Sequence, residues 1–215
     1  MRYAFQVQYI GKNYSGSQIQ FENGIPIDSP TIQGELEKAL CTLIRSKAAN
    51  NNRPIRTVFS GRTDKGVNSF GQVVHFDVDE TIVASKFLYS INEILPDDIS
   101  VSDLEVVDDR FHAQKSAKKR YYRFEFVNRR CKNAFDGDLL RVKFKTDVDR
   151  MQKSLNYLLG EHDFSSFKSS GTLNPSKICT IYEAKVSKVG DNVIIDIVGN
   201  RFLYNMVRTI VGTLL

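Results

Sequence analysis

The chain has 215 residues, 41% of them hydrophobic, with 30 Lys and Arg against 25 Asp and Glu and a formal charge of +5. That length suits one large globular domain or two modest ones. It contains no run of about 18 apolar residues and no charged leader followed by an apolar stretch, so neither a membrane span nor a secretion signal is expected.

The opening MRYAFQVQYI sets Tyr3, Phe5, Val7 and Tyr9 against Arg2, Gln6 and Gln8, the period of a strand. A polar, glycine-bearing loop follows over 11–28. Ser29 and Pro30 then read as the N-cap and first residue of a helix over 30–46, with Ile32, Leu36, Ala39, Leu40, Leu43 and Ile44 at helical spacing. AANNNRP reads as a loop. Strands are expected at 55–60 and 71–78, with SGRTDKGVN turning between them, and a helix at 85–93 that stops before Leu95-Pro96. Strands follow at 99–107 and 120–127. A helix over 148–159 turns Met151, Leu155, Leu158 and Leu159 inward. Strands at 179–188 and 193–198 and a last helix from about Phe202 complete the pattern. Strands interrupted by helices, with hairpin-length connections, predict an α+β protein with a largely antiparallel sheet. The expected division is 1–110, an N-terminal α/β subdomain carrying the GRTD turn, and 111–215, a C-terminal α/β subdomain, together forming one working unit.

Cys41, Cys131 and Cys179 are widely spaced and odd in number, with no CxxC, so a reducing cytosol fits better than a disulfide framework or a zinc site. The charge is uneven. Residues 110–145 hold 12 Lys or Arg against three acids, a local +9, while the remainder is −4. This is the footprint of a polyanion partner, or equally of a solvated lysine-rich face. RYYRFEF interleaves Tyr121, Tyr122, Phe124 and Phe126 with cations, which favours RNA, because rings stack on bases where charges meet phosphates.

Dinucleotide, Walker, nucleophile-elbow and zinc-protease motifs are missing, and His75, His112 and His162 have no ligand spacing, so structural histidines are expected. The last helix, NRFLYNMVRTIVGTLL, is apolar around most of its circumference. Arg208 is therefore expected to lie deep and to need an anion, either in a structural salt bridge or at a working site. Asp64, on its glycine-flanked turn, is the natural candidate for a carboxylate held ionised by such a partner. GRTD alone is a weak signal.

GRTDKGVNSFGQVVHF resembles the GRTDxGVHxxGQVVHF signature of the tRNA pseudouridine synthase A family. The opening strand, NEILPDDIS, DRFHAQKSAKKRYYRF, LLGEHDFSSF and NRFLYNMVRTIVG are similar to that family's blocks and stand in its order, along nearly the whole chain. The resemblance implies a pseudouridine synthase fold: a central, mainly antiparallel sheet with flanking helices and a basic cleft. It implies a cytoplasmic homodimer without cofactor or metal that isomerises uridine to pseudouridine in the anticodon stem-loop of tRNA. It puts the catalytic aspartate at Asp64, the arginine that helps extrude the target nucleotide at Arg62, the tyrosine that stacks on the uracil at Tyr122, and the aspartate's partner at Arg208. Four positions depart from the pattern. Ile10 stands where Asp is usual, Ser17 where Trp is common, Asn68 in place of the signature's His, and Cys179 where Arg is frequent. The chain ends at Leu215 inside an apolar helical pattern, where relatives continue, so a truncated C-terminal subdomain is expected. The rival is a catalytically degenerate RNA-binding relative. A third reading, an aspartate-based hydrolase acting on a phosphorylated small molecule, lacks the acid and metal-ligand clusters such chemistry needs.

Overall fold

The computed structural model describes residues 1–44, 55–169 and 176–215. It divides into two compact units, Met1–Ala117 and Lys118–Leu215.

The first unit is built on β1 (Arg2–Tyr9), whose alternation is as expected: Tyr3, Phe5, Val7 and Tyr9 are all buried. The loop that follows contains a small hairpin, β2 (Phe21–Glu22) and β3 (Ile25–Pro26). Its tip, Asn23-Gly24, has positive φ at both residues, the pairing that suits a tight hairpin turn. Helix α1 (Ile32–Leu43) starts two residues later than its sequence signal. Thr31 is the N-cap, accepting a 3.1 Å bond from the Gly34 N–H, and Ser29 and Pro30 lie in the preceding turn. The AANNNRP loop and the last two residues of the expected 30–46 helix lie outside the described residues. The strands β4 (Thr57–Phe59) and β5 (Ser69–Asp77), the helix α2 (Ala84–Ile94) and the strand β6 (Ile99–Val107) follow, then one short helical turn, α3 (Ala113–Ser116). The sheet order is β4-β5-β1-β6, antiparallel throughout. Leu36 and Leu40 of α1 and Ile91 of α2 are fully buried in one core with the strand residues. Each such side chain contributes roughly 1.5–3 kcal/mol by leaving water. The β1–β5 register slips between Val7 and Tyr9, a bulge at the strand end that leads into the GRTD turn.

The second unit begins with β7 (Arg120–Asn128), continues through β8 (Leu140–Val142) and α4 (Val148–Asn156), and completes its sheet with β9 (Gly160–Asp163), β10 (Ile178–Val189) and β11 (Asn192–Gly199). The order is β8-β7-β11-β10-β9, antiparallel except for the β7–β8 pair. Helix α4 stops earlier than expected. Met151 and Leu155 are buried and Leu158 partly so, but Leu159 is exposed, because the chain leaves the helix to form β9. The last helix, α5 (Met206–Leu214), starts four residues later than Phe202. Asn205 precedes it at φ 59°, a left-handed conformation that asparagine tolerates and that breaks the helix there. Among the described residues no helix is long and apolar enough to cross a membrane. The α+β class and the mainly antiparallel pairing match expectation, with a four-stranded sheet in the first unit beside the small hairpin and a five-stranded sheet in the second.

Candidate active site

Asp64 lies on the β4–β5 turn. The Val67 N–H donates to the Asp64 carbonyl at 3.2 Å, and Gly66 takes φ 78° between them, a conformation a side chain would strain. Asp64 is half-buried and Arg62 exposed.

The turn is tied down through Thr63. Its N–H donates to Ser17 Oγ at 2.9 Å, and its carbonyl accepts from the Ser17 N–H at 3.1 Å. Its hydroxyl and that of Tyr9 are 2.8 Å apart, and Gln72 Nε2 donates to the Tyr9 oxygen at 3.0 Å. Burial raises the Tyr9 hydroxyl above the ordinary phenol range, against the opposing effect of hydrogen bonds with Thr63, Gln72 and Ser69. Tyr9 therefore remains a neutral bridging group. At the far end of the turn, Asn68 Oδ1 accepts from the Gly11 N–H at 2.8 Å.

The other expected substrate residues lie in the second unit. On β7, Tyr121 is exposed while Tyr122 is half-buried, on the sheet face that also carries the fully buried Phe126. Tyr122 meets Phe202 edge to face, with centroids 4.9 Å apart and planes at 69°. Phe202 belongs to no helix, and no sequence period marks it as the tyrosine's support.

Arg208 corrects the sequence expectation, because it is exposed rather than deep. Helix α5 buries Met206, Ile210 and Val211 and partly covers Val207 and Leu214, so only one stripe faces the core and Arg208 lies off it. The basic segment is also partly neutralised within its own unit. Arg123 pairs with Asp196 at 2.7 Å, and Arg129 with Asp136 and Asp191.

The departures have distinct environments. Ser17 and Asn68 bond to the segments described above, Ile10 is exposed, and Cys179 is fully buried, which raises its thiol above the usual range. Of the histidines, His75 is buried with Nδ1 accepting from the Ala113 N–H at 3.2 Å. Burial, and then the nearby charges of Arg2 and His112, lower its pKa. Among the described residues no group of three or more His, Cys, Asp or Glu is placed to hold a metal ion.

A family model described as tRNA pseudouridine synthase matches residues 155–215. The chain is 41% identical to the tRNA pseudouridine synthase A of Bacillus licheniformis over 216 residues, covering 100% of this chain and 83% of that protein. It is 41% identical to that of Brevibacillus brevis, covering 96% and 80%. With that of Colwellia psychrerythraea it shares 40% identity, covering 100% and 78%.

Proposed function

The chain belongs to the tRNA pseudouridine synthase A family, and we propose from this that it isomerises uridine to pseudouridine in the anticodon stem-loop of tRNA. The observation that carries the proposal is similarity along the whole chain, joined to an aspartate held on a fixed, partly open turn beside an exposed arginine.

The chemistry sets the roles. A uracil stacked in an RNA helix is out of reach and must be everted, at a cost of a few kcal/mol. We assign Arg62 to the space the nucleotide leaves, Tyr122 to stacking on the everted ring, and Arg208 to binding the substrate. Phe202 meets Tyr122 with an edge-to-face contact, which orients the tyrosine. Asp64 is the catalytic carboxylate, acting as nucleophile or base while the N-glycosidic bond breaks, the base turns and a ring carbon bonds to the sugar. That carbon sheds one proton and the freed nitrogen gains one, so the reaction balances with no change of oxidation state. Assembly as a homodimer and a cytoplasmic location are part of the same proposal.

The test is to incubate the protein with an unmodified tRNA transcript and map pseudouridine by position. New pseudouridine in the anticodon arm is the expected result. Tight tRNA binding with no new pseudouridine would identify a degenerate RNA-binding relative instead.

A further inference from the structure

Gly11 to Ser17 runs alongside the catalytic turn, and its contacts fall at both ends of that turn. At one end Ser17 takes the Thr63 N–H on its hydroxyl and gives its own N–H to the Thr63 carbonyl, at 2.9 and 3.1 Å. At the other end Asn68 Oδ1 takes the Gly11 N–H at 2.8 Å. The approach is close at both points. A Cβ on Gly11 would lie 2.1 Å from the Val67 carbonyl oxygen, and one on Gly16 would lie 2.8 Å from that of Thr63. The segment's other side is anchored on the α2–β6 turn and on α1. The Ile10 N–H donates to the Asp98 carbonyl at 2.9 Å, Tyr14 Oη to the Asp98 carboxylate at 2.5 Å, and the Gln33 N–H of α1 to the Ser17 carbonyl at 2.9 Å. Asp64 lies inside the bracketed stretch, between Thr63 and Asn68.

We propose that residues 11–17 form a strap that fixes the main chain at Asp64, and that Ser17 and Asn68 are its side-chain pins and thus positioning residues for the reaction. The proposal rests on Asp64 being the catalytic carboxylate. A reacting group held to a fraction of an ångström by its supporting shell loses rate, not substrate affinity, when that shell loosens. Neither pin is assigned a contact with RNA. Ser17 is 1% exposed, and its hydroxyl accepts from the turn. Asn68 acts through a single acceptor atom, which a neutral imidazole Nδ1 at the same position also offers.

The test compares Asn68→Ala, Asn68→His and Ser17→Ala with the unmodified protein, measuring kcat, KM and tRNA Kd. Loss of one pin is expected to lower kcat about tenfold, the effect of one missing hydrogen bond, with KM and Kd unchanged. Asn68→His is expected to restore most of the rate. Wild-type kcat in Asn68→Ala, equal losses in the Ala and His variants, or a loss carried by KM would overturn the strap. Asn68 is exposed, so its variants keep the test open if Ser17→Ala fails to fold. Asp64→Asn serves as the reference. If it is active, the catalytic assignment itself fails. If it is inactive while Asn68→Ala is fully active, the strap alone is wrong.

Discussion

The GRTD turn of the first unit and the Tyr122 strand of the second hold their working residues by different means. Around Asp64 the turn is fixed by hydrogen bonds to its main chain from Ser17 and the turn's own Val67, and by the Asn68 side chain, which accepts from the Gly11 N–H. Tyr122 is held by sheet pairing with Ile197 and meets one ring edge of Phe202. A carboxylate that must meet a bond in one geometry needs its backbone fixed. A ring that receives another ring needs a support and an open face.

After that of Asp64 itself, the largest effect on this contrast is expected at Tyr122. Tyr122→Ala should lower kcat/KM by about a hundredfold, the worth of one base stack, while Tyr122→Phe stays within a few-fold. Equal activity of the two would remove stacking from the account. Phe202→Ala should follow, with a loss of roughly three- to tenfold, since an edge-to-face contact is worth about 0.5–1.5 kcal/mol beyond its area. No loss there would mean that the sheet alone orients Tyr122.

A smaller effect concerns stability of the first unit. His75 is held neutral by burial and by accepting the Ala113 N–H, and Arg2, His112, Asp77 and Phe111 surround it. Its folded pKa lies below the unfolded value of about 6.5. The unfolded chain therefore binds the proton first, and the stabilisation present above that pH is lost as pH falls below it. Urea unfolding midpoints should drop between about pH 7 and 5.5, and by less in His75→Gln. An unchanged pH dependence in that variant would exclude His75 as the cause. The smallest effect is expected at Arg123, whose pair with Asp196 is on the surface. Arg123→Gln should leave the unfolding midpoint unchanged.

The long strands and helices were legible because their alternation follows burial, as in Tyr3, Phe5, Val7 and Tyr9. β9 was not, because its four residues, Gly160 to Asp163, are all exposed and carry no apolar period. The hairpin at Asn23-Gly24 had a readable turn but strands of only two residues each. Arg208 was misplaced because counting apolar residues around a helix does not reveal which of them a neighbour covers. Of the adjacent tyrosines, the family resemblance selected Tyr122, and strand pleating puts the two on opposite faces. The strap was invisible, since it joins residues 46 and 57 positions apart, largely through backbone atoms.

The most direct measurement is single-turnover pseudouridine formation by Asp64→Asn at saturating protein, with tRNA binding measured on the same sample. The account predicts a rate lower by roughly a thousandfold or more and an unchanged Kd. A rate near that of the unmodified protein would contradict it.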